Sequence, residues 1–228
     1  MTAQRGVRGV AGAAGAVAAL LAGVSGVAAG GSFIGGLTTV STIGTTVPAN
    51  GDVNPYGIVV VQRDAGRLHK GDVLVSNFND AKNLQGTGTT IVELNPGTGA
   101  LTVFAHIDRD DVRDCPGGVG LTTALGILQG QWVIVGSLPT RDGTAATAQA
   151  GCLIVLNRWG HVVETLDGNG INGPWDLTTT DRGDDSYVFV SNVLNGTKAA
   201  NGAVVNRGTV ERLVLDTRDV SVPRVDSM

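Results

Sequence analysis

Polar and aromatic residues recur at matching places in this sequence, beside short apolar segments. Asn54 and Asn172 each precede such a segment, and Ser76-Asn77 and Ser191-Asn192 each close one. Amide and carboxylate oxygens at strand ends can ligate a divalent cation such as calcium or hold a sugar-like ligand. They can also bond their own backbone in Asx turns, so both interpretations stay open. The candidate ligand-binding residues are Asn54, Tyr56, Asn77, Asn172, Trp175, Asp176 and Asn192.

The sequence offers no recognisable catalytic constellation. His69, His106 and His161 occupy unrelated positions, without the spacing of a metal site or a Ser/His/Asp triad. The run 168–173 matches a dinucleotide-binding fingerprint, but Pro174 and a threonine-rich segment follow instead of the required helix. We therefore assign no catalytic residue, leave the metal ligands undetermined, and expect a binding protein rather than an enzyme.

The composition limits the classes of partner. Charged residues make up 16% of the chain, aromatic residues 4%, and the net charge is −4. Proteins that bind nucleic acids need clustered cations and stacking rings, so this chain is not expected to be one of them. Its many glycines, with valine, threonine and leucine between them, predict short strands joined by tight turns.

A threefold internal repeat organises these strands. Each copy opens with a Gly-containing segment, at 54–60, 118–123 and 173–178, and continues with a second apolar strand that ends at Asn77, Ser137 or Asn192. Third strands follow at 91–95, 153–157 and 213–216, and fourth strands at 101–105 and 161–165, with only 220–222 left for the third copy. Four strands per repeat of roughly 55–63 residues predict long blades of an all-β propeller.

The Pro-aromatic-Gly-aliphatic opening and the Ser-Asn ending resemble the NHL-repeat and gluconolactonase-like β-propellers. The resemblance covers residues 39–222. The repeats predict a propeller segment at 38–228, with blades at about 54–106, 118–166 and 172–223, and the resemblance implies a closing strand at about 38–47. Since such rings have six or seven blades, we expect three blades to be half of a six-bladed ring, either truncated or completed by self-association through open edges.

The loops predict which face carries function. In alternating strands, all the long connections fall at one end of the blades: 48–54, 79–89, 108–118, 139–151, 167–173 and 194–208. The connections at the other end are mostly short turns. Rigid strands that present long loops on one side are typical of binding surfaces, and Trp175 is placed to stack on a ligand there.

The first 29 residues have the pattern of a secretory signal. Arg5 and Arg8 precede an uncharged Ala/Gly/Val/Leu run, and Ala29 follows small residues suited to cleavage, with a linker at 30–37. An uncleaved anchor is the alternative. In an extracellular or periplasmic compartment, Cys115 and Cys152 are expected to form a disulfide; two separate buried thiols are the other interpretation.

The leading functional hypothesis is an exported module that binds a small molecule, glycan or protein through its long-loop face. One alternative, implied by the resemblance, is a metal-dependent gluconolactonase-like hydrolase or lyase. Its relatives place an Asp ligand in a Pro-Asp-Gly opening, where this chain has Tyr56 or Trp175, and this difference weakens the alternative. A structural envelope protein is the third hypothesis.

Overall fold

The computed structural model describes residues 33–196, 200, 203–217 and 222–227. The predicted signal segment and part of the linker lie outside these residues. The unit Met1–Ser41 contributes a turn at 33–36 and irregular chain, and the unit Thr42–Met228 contains every strand described. Among the described residues, no helix has the length and apolar character needed to cross a bilayer.

Twelve strands form three four-stranded antiparallel sheets, each in sequential order. Blade 1 contains β1 (Val53–Val60), β2 (Val73–Asn79), β3 (Thr90–Leu94) and β4 (Leu101–His106). Blade 2 contains β5 (Leu121–Leu128), β6 (Trp132–Ser137), β7 (Cys152–Leu156) and β8 (Val162–Leu166). Blade 3 contains β9 (Pro174–Arg182), β10 (Asp185–Asn192), β11 (Thr209–Asp216) and β12 (Arg224–Ser227). Short 3-10 turns occur at Arg109–Val112, Gln129–Gln131 and Ala145–Thr147.

The blades pack face to face, which confirms the predicted all-β propeller architecture. One core lies between blades 1 and 2 and includes Leu74, Ile91 and Val133; a second lies between blades 2 and 3 and includes Ile134 and Val188. Strands β6 and β7 are buried along their whole length because both of their faces meet another blade. A strand that is buried on both faces consists of consecutive apolar residues. This pattern made β6 and β7 easy to recognise in the sequence.

The inner strands β1, β5 and β9 lie side by side, and glycine at position 57 permits their approach. A Cβ built on Gly57 would lie 2.6 Å from the Ser76 hydroxyl, 2.7 Å from Leu125 Cβ and 2.8 Å from the Thr123 carbonyl. The Gly57 N–H donates to Ser76 Oγ at 3.0 Å, and Ser76 Oγ donates to the Thr122 carbonyl at 2.8 Å. These bonds join blade 1 to blade 2.

The predicted closing strand at 38–47 carries no strand assignment in the structure. Within the second unit, this part of the chain instead lies on the free face of blade 1, where Val73, Val75 and Val92 form a small core. Asn77 Nδ2 donates to the Thr46 carbonyl at 2.8 Å. The Asp52 carboxylate, 4% exposed, accepts from Thr89 N at 2.8 Å and from Thr90 Oγ1 at 3.0 Å. We call residues 42–52 the cap.

Blade 3 differs from the prediction at its end. Its fourth strand is β12, so the blade continues past the predicted limit of 223, and part of the predicted strand at 220–222 falls outside the described residues. The sequence signal was weak because β12 is short and mostly exposed. The outer face of this blade is open, with Phe189 37% and Val210 70% exposed.

Candidate functional site

A cleft of about 320 Å³ opens on the long-loop face, where the three blades meet. Each blade contributes its connection between the second and third strands, so the cleft depends on the packing of all three blades. Most of the lining is apolar, and its residues are Phe78, Gln85, Leu138, Thr140, Gly143, Ala145, Trp175, Val193 and Leu194. The prediction that elaborated loops gather on one face agrees with this arrangement.

An aromatic cluster adjoins the cleft on the side of the inner strands, and two of its three members, Phe78 and Trp175, line the cleft. The rings of Tyr56 and Phe78 stack with centroids 4.5 Å apart, and Trp175 meets both edge to face, at 5.9 Å from Tyr56 and 5.5 Å from Phe78. Offset and edge-to-face rings at these distances attract one another through their quadrupoles. The structure thus brings together two of the sequence-predicted residues, Tyr56 and Trp175.

Local structure explains the position of Trp175. The residue follows Pro174 at the start of β9, and its carbonyl accepts a hydrogen bond from the Thr123 hydroxyl of β5. Its side chain is half-buried and therefore available at the cleft surface. Phe78 lies near the end of β2 and is only 3% exposed, so it packs on the buried side of the other two rings.

The rim of the cleft between blades 1 and 2 is held by hydrogen bonds. Thr140 N donates to the Gly86 carbonyl at 2.9 Å, which links the β2–β3 and β6–β7 connections. In the second of these, the Asp142 carboxylate accepts from Thr144 N at 3.0 Å, Thr144 Oγ1 at 2.7 Å and Thr147 Oγ1 at 2.5 Å. The hydroxyl of Thr147 and the two Thr144 donors hold the pKa of Asp142 below its ordinary value.

Two predicted amides are buried, and one side-chain atom of each makes hydrogen bonds within the fold; among the described residues, Asn77 Oδ1 and Asn192 Nδ2 have no hydrogen-bond partner. Asn77 is 0% exposed, and its Nδ2 donates to the Thr46 carbonyl of the cap at 2.8 Å and to the Thr90 hydroxyl of β3 at 3.2 Å. Asn192 is 1% exposed, and its Oδ1 accepts from Asn172 N and Gly173 N, both at 3.2 Å. These contacts shape the turn before β9. Asn77 thus holds the cap and Asn192 the turn before β9, and neither residue lines the cleft of about 320 Å³.

The remaining predicted residues spread around the face. Asn54 has a positive φ of 65° and donates to Asn79 Oδ1 at 3.2 Å. Asn172 is exposed and lines a smaller cleft of about 140 Å³ beside the first. Asp176 is exposed on the open side of blade 3, where its Oδ1 accepts from Leu177 N at 2.9 Å. None of the three lines the larger cleft.

The predicted disulfide is confirmed. Cys115, in the connection before β5, joins Cys152, the first residue of β7, across a Cα–Cα distance of 5.5 Å. Both residues are buried in the core between blades 1 and 2. The bond therefore ties a long loop to the third strand of the same blade.

Sequence reasoning missed most of the cleft lining. Phe78 directly follows the Ser76-Asn77 pair that drew attention, and its aromatic character was the available signal. Gln85, Leu138 and Leu194 stand in irregular loops, where no periodicity shows which side chains turn toward a cleft. Their convergence depends on the packing of blades that are distant in sequence.

Comparison with known proteins identifies no family for this chain. No protein-family profile and no curated protein sequence matches it. Among solved structures, it is similar to the α-L-arabinanase of Penicillium chrysogenum determined with arabinobiose, at 11% identity and a TM-score of 0.42. The match covers 75% of this chain and 49% of that one, so the chain spans about half the length of that enzyme.

Proposed function

We propose that this chain is an exported binding module that takes a small uncharged ligand, such as a sugar, into the cleft lined by Phe78 and Trp175. The observation that carries the proposal is the cleft itself, at about 320 Å³, with Trp175 in its wall. This volume falls at the lower end of ligand sites, which measure roughly 300–1,000 Å³. The occupant is therefore a small molecule or the end of a longer one.

The chemistry of the lining defines the ligand class. Gln85 and Thr140 supply amide and hydroxyl groups, and the side chain of Trp175 supplies a flat apolar surface. No charged side chain belongs to the lining formed by the described residues. A charged ligand would lose its hydration without gaining a counter-ion, whereas a neutral amphipathic ligand would find both kinds of contact.

The same lining favours binding over hydrolysis. Glycoside hydrolysis needs a pair of carboxyl groups, and general acid–base chemistry needs a titratable group within hydrogen-bond reach. The described residues of both clefts supply neither. The gluconolactonase-like alternative requires oxygen ligands at the mouth of the blades, where this structure has Tyr56, Phe78 and Trp175.

Export is part of the proposal. The disulfide between Cys115 and Cys152 supports it, because such bonds persist in oxidising compartments. The basic and apolar pattern of residues 1–29 gives the same indication.

Tryptophan fluorescence tests the binding proposal. A panel of neutral mono- and disaccharides would be titrated into the mature protein, and we expect at least one to change the emission of Trp175 saturably. The change should disappear in Trp175→Phe and persist in Trp159→Phe, since Trp159 lies on a turn at the other end of blade 2 and is 49% exposed. A response that survives Trp175→Phe would exclude this cleft.

A second candidate function is self-association through blade 3, favoured by the exposure of Phe189 and Val210 on its open face. Light scattering coupled to size exclusion would show a dimer that Phe189→Glu converts to monomer. A monomer across the concentration range of the experiment would remove this candidate without affecting the cleft.

A further inference from the structure

A cluster of metal-ligating side chains lies at the end of blade 1 opposite the cleft. The connection between β1 and β2 contributes His69 and Asp72, and β3 contributes Glu93. One donor atom from each residue, an imidazole nitrogen or a carboxylate oxygen, lies within 4.8 Å of the other two. In a tetrahedral Zn²⁺ site, two ligand atoms at about 2.0–2.2 Å from the ion are about 3.3–3.6 Å apart, so the donor atoms must approach by about 1–1.5 Å at most.

Glu93 is the fixed member of this cluster. Its side chain is 2% exposed, and its carboxylate accepts from His69 N at 2.8 Å and faces His69 Nδ1 at 3.0 Å. In the described part of the chain, no lysine or arginine nitrogen lies within 4.0 Å of the Glu93 or Asp72 carboxylate. A nearby cation stabilises a buried carboxylate beyond what hydrogen bonds supply, and a metal ion held between His69, Asp72 and Glu93 would provide that charge.

Asp72 and His69 complete the geometry. Asp72 Oδ1 accepts from Asn95 Nδ2 at 2.7 Å, and a hydrogen bond of this kind orients a carboxylate for metal binding. The His69 side chain is 65% exposed, so solvent reaches the site and the imidazole has room to move. A fourth coordination position therefore remains open to water.

The repeat provides an internal comparison. The equivalent connection is confined to 129–131 in blade 2 and to 183–184 in blade 3, whereas in blade 1 it spans 61–72. The fold can therefore join these strands with a short turn, and the longer connection brings His69 and Asp72 to Glu93. In the sequence, His69 has no spacing to other residues that would indicate a metal site.

We propose that His69, Asp72 and Glu93 bind a divalent first-row transition metal, for which Zn²⁺ is the best fit. One imidazole and two carboxylates suit zinc, whereas calcium and magnesium prefer sites built from oxygen alone. The ion would fasten the β1–β2 connection to β3. This site is separate from the cleft, and the proposal stands or falls independently of ligand binding there.

Calorimetric titration of ZnCl₂ into the metal-free, tag-free mature protein tests the proposal. We expect one Zn²⁺ per chain, confirmed by metal analysis after dialysis, and a rise in the unfolding temperature because the ion binds the folded state. His69→Gln and Asp72→Asn should each weaken Zn²⁺ binding by about tenfold or more. His161→Gln is the matched control, since His161 is exposed on the corresponding end of blade 2 and should leave binding unchanged.

Cobalt spectroscopy protects the test from folding artefacts. Co²⁺ bound at this site should give a visible absorption band that is lost in Asp72→Asn while the far-ultraviolet circular dichroism stays that of the parent protein. The proposal is overturned if the parent protein binds no Zn²⁺ at micromolar concentrations, which would leave a plain His69–Glu93 ion pair. It is also overturned if His69→Gln and Asp72→Asn bind the ion as tightly as the parent.

Discussion

Tyr56 of blade 1 and Trp175 of blade 3 meet edge to face, with ring centroids 5.9 Å apart and planes inclined by 81°. Tyr56 is the fourth residue of β1 and Trp175 the second of β9, and blade 2 lies between their blades. Their contact therefore joins the two outer blades directly, at the end where the cleft opens. Any change that separates these rings alters both the packing of the blades and the wall of the cleft.

Replacing Tyr56 by alanine should destabilise the protein and weaken binding in the cleft together. The substitution removes the stacked contact with Phe78 and the edge contact with Trp175, at a cost of about 1–3 kcal/mol in the free energy of unfolding. Urea denaturation measures this loss. Trp159→Ala, on an exposed turn, should cost no more than about 0.5 kcal/mol, and equal losses in both variants would contradict the account.

Gly57→Ala tests the close approach of blades 1 and 2. The added Cβ would push against Ser76, Leu125 and Thr123, and such overpacking costs about 1–3 kcal/mol. Chemical denaturation of Gly97→Ala provides the control, because a Cβ at that exposed turn meets only the Asn95 side chain at 3.4 Å. If Gly57→Ala is as stable as Gly97→Ala, the inner strands do not pack as described.

Loss of the disulfide should lower stability without changing the architecture. The Cys115–Cys152 bond closes a loop with a sequence separation of 37, and the chain-entropy relation assigns such a loop about 3–4 kcal/mol. The variant with both cysteines changed to alanine should unfold at lower urea concentration while keeping its β-type circular dichroism. An unchanged midpoint would show that the bond contributes nothing to the folded state.

At acidic pH, protonation of Asp142 should loosen the β6–β7 connection, which lines the cleft. Hydrogen bonds from Thr147 and Thr144 lower the pKa of this carboxyl in the folded protein, so the stabilisation is complete above the unfolded value of 3.8 and disappears as the pH falls through the folded pKa. Proteolysis within 140–147 should therefore increase at low pH, with an acid-active protease. Asp142→Asn should already be sensitive at neutral pH, whereas Asp114→Asn, at an exposed site in another loop, should behave as the parent.

The sequence predicted the strands well because most of them are short apolar runs bounded by glycine, proline or asparagine. It also drew attention to Tyr56 and Trp175, which the structure brings into contact, and to the cysteine pair, which forms the disulfide. It could not separate the amides that serve the fold from those that face solvent. Asn77, Asn192 and Asn172 are all asparagines beside a predicted strand. Only the packing shows that the first two are buried and that Asn172 is exposed.

Other features depended on contacts between distant segments. The cap follows the free face of blade 1 without forming a strand, so no strand pattern could locate it. The grouping of His69 and Asp72 with Glu93 joins a loop to a strand that follows it in the blade. No short sequence pattern predicts either contact, because each one joins segments that become neighbours only when the sheet of blade 1 has formed.

The two outer faces of the blade stack are unequal. The cap covers the part of the blade 1 face formed by β2 and β3, whereas Ile58 and Val60 of β1 stay exposed there, and Phe189 and Val210 are exposed on the face of blade 3. In a head-to-tail assembly, the cap would stand between the last blade of one copy and the first blade of the next. In a contact of blade 3 with blade 3, both partners present the same surface, and such a contact closes on a twofold axis.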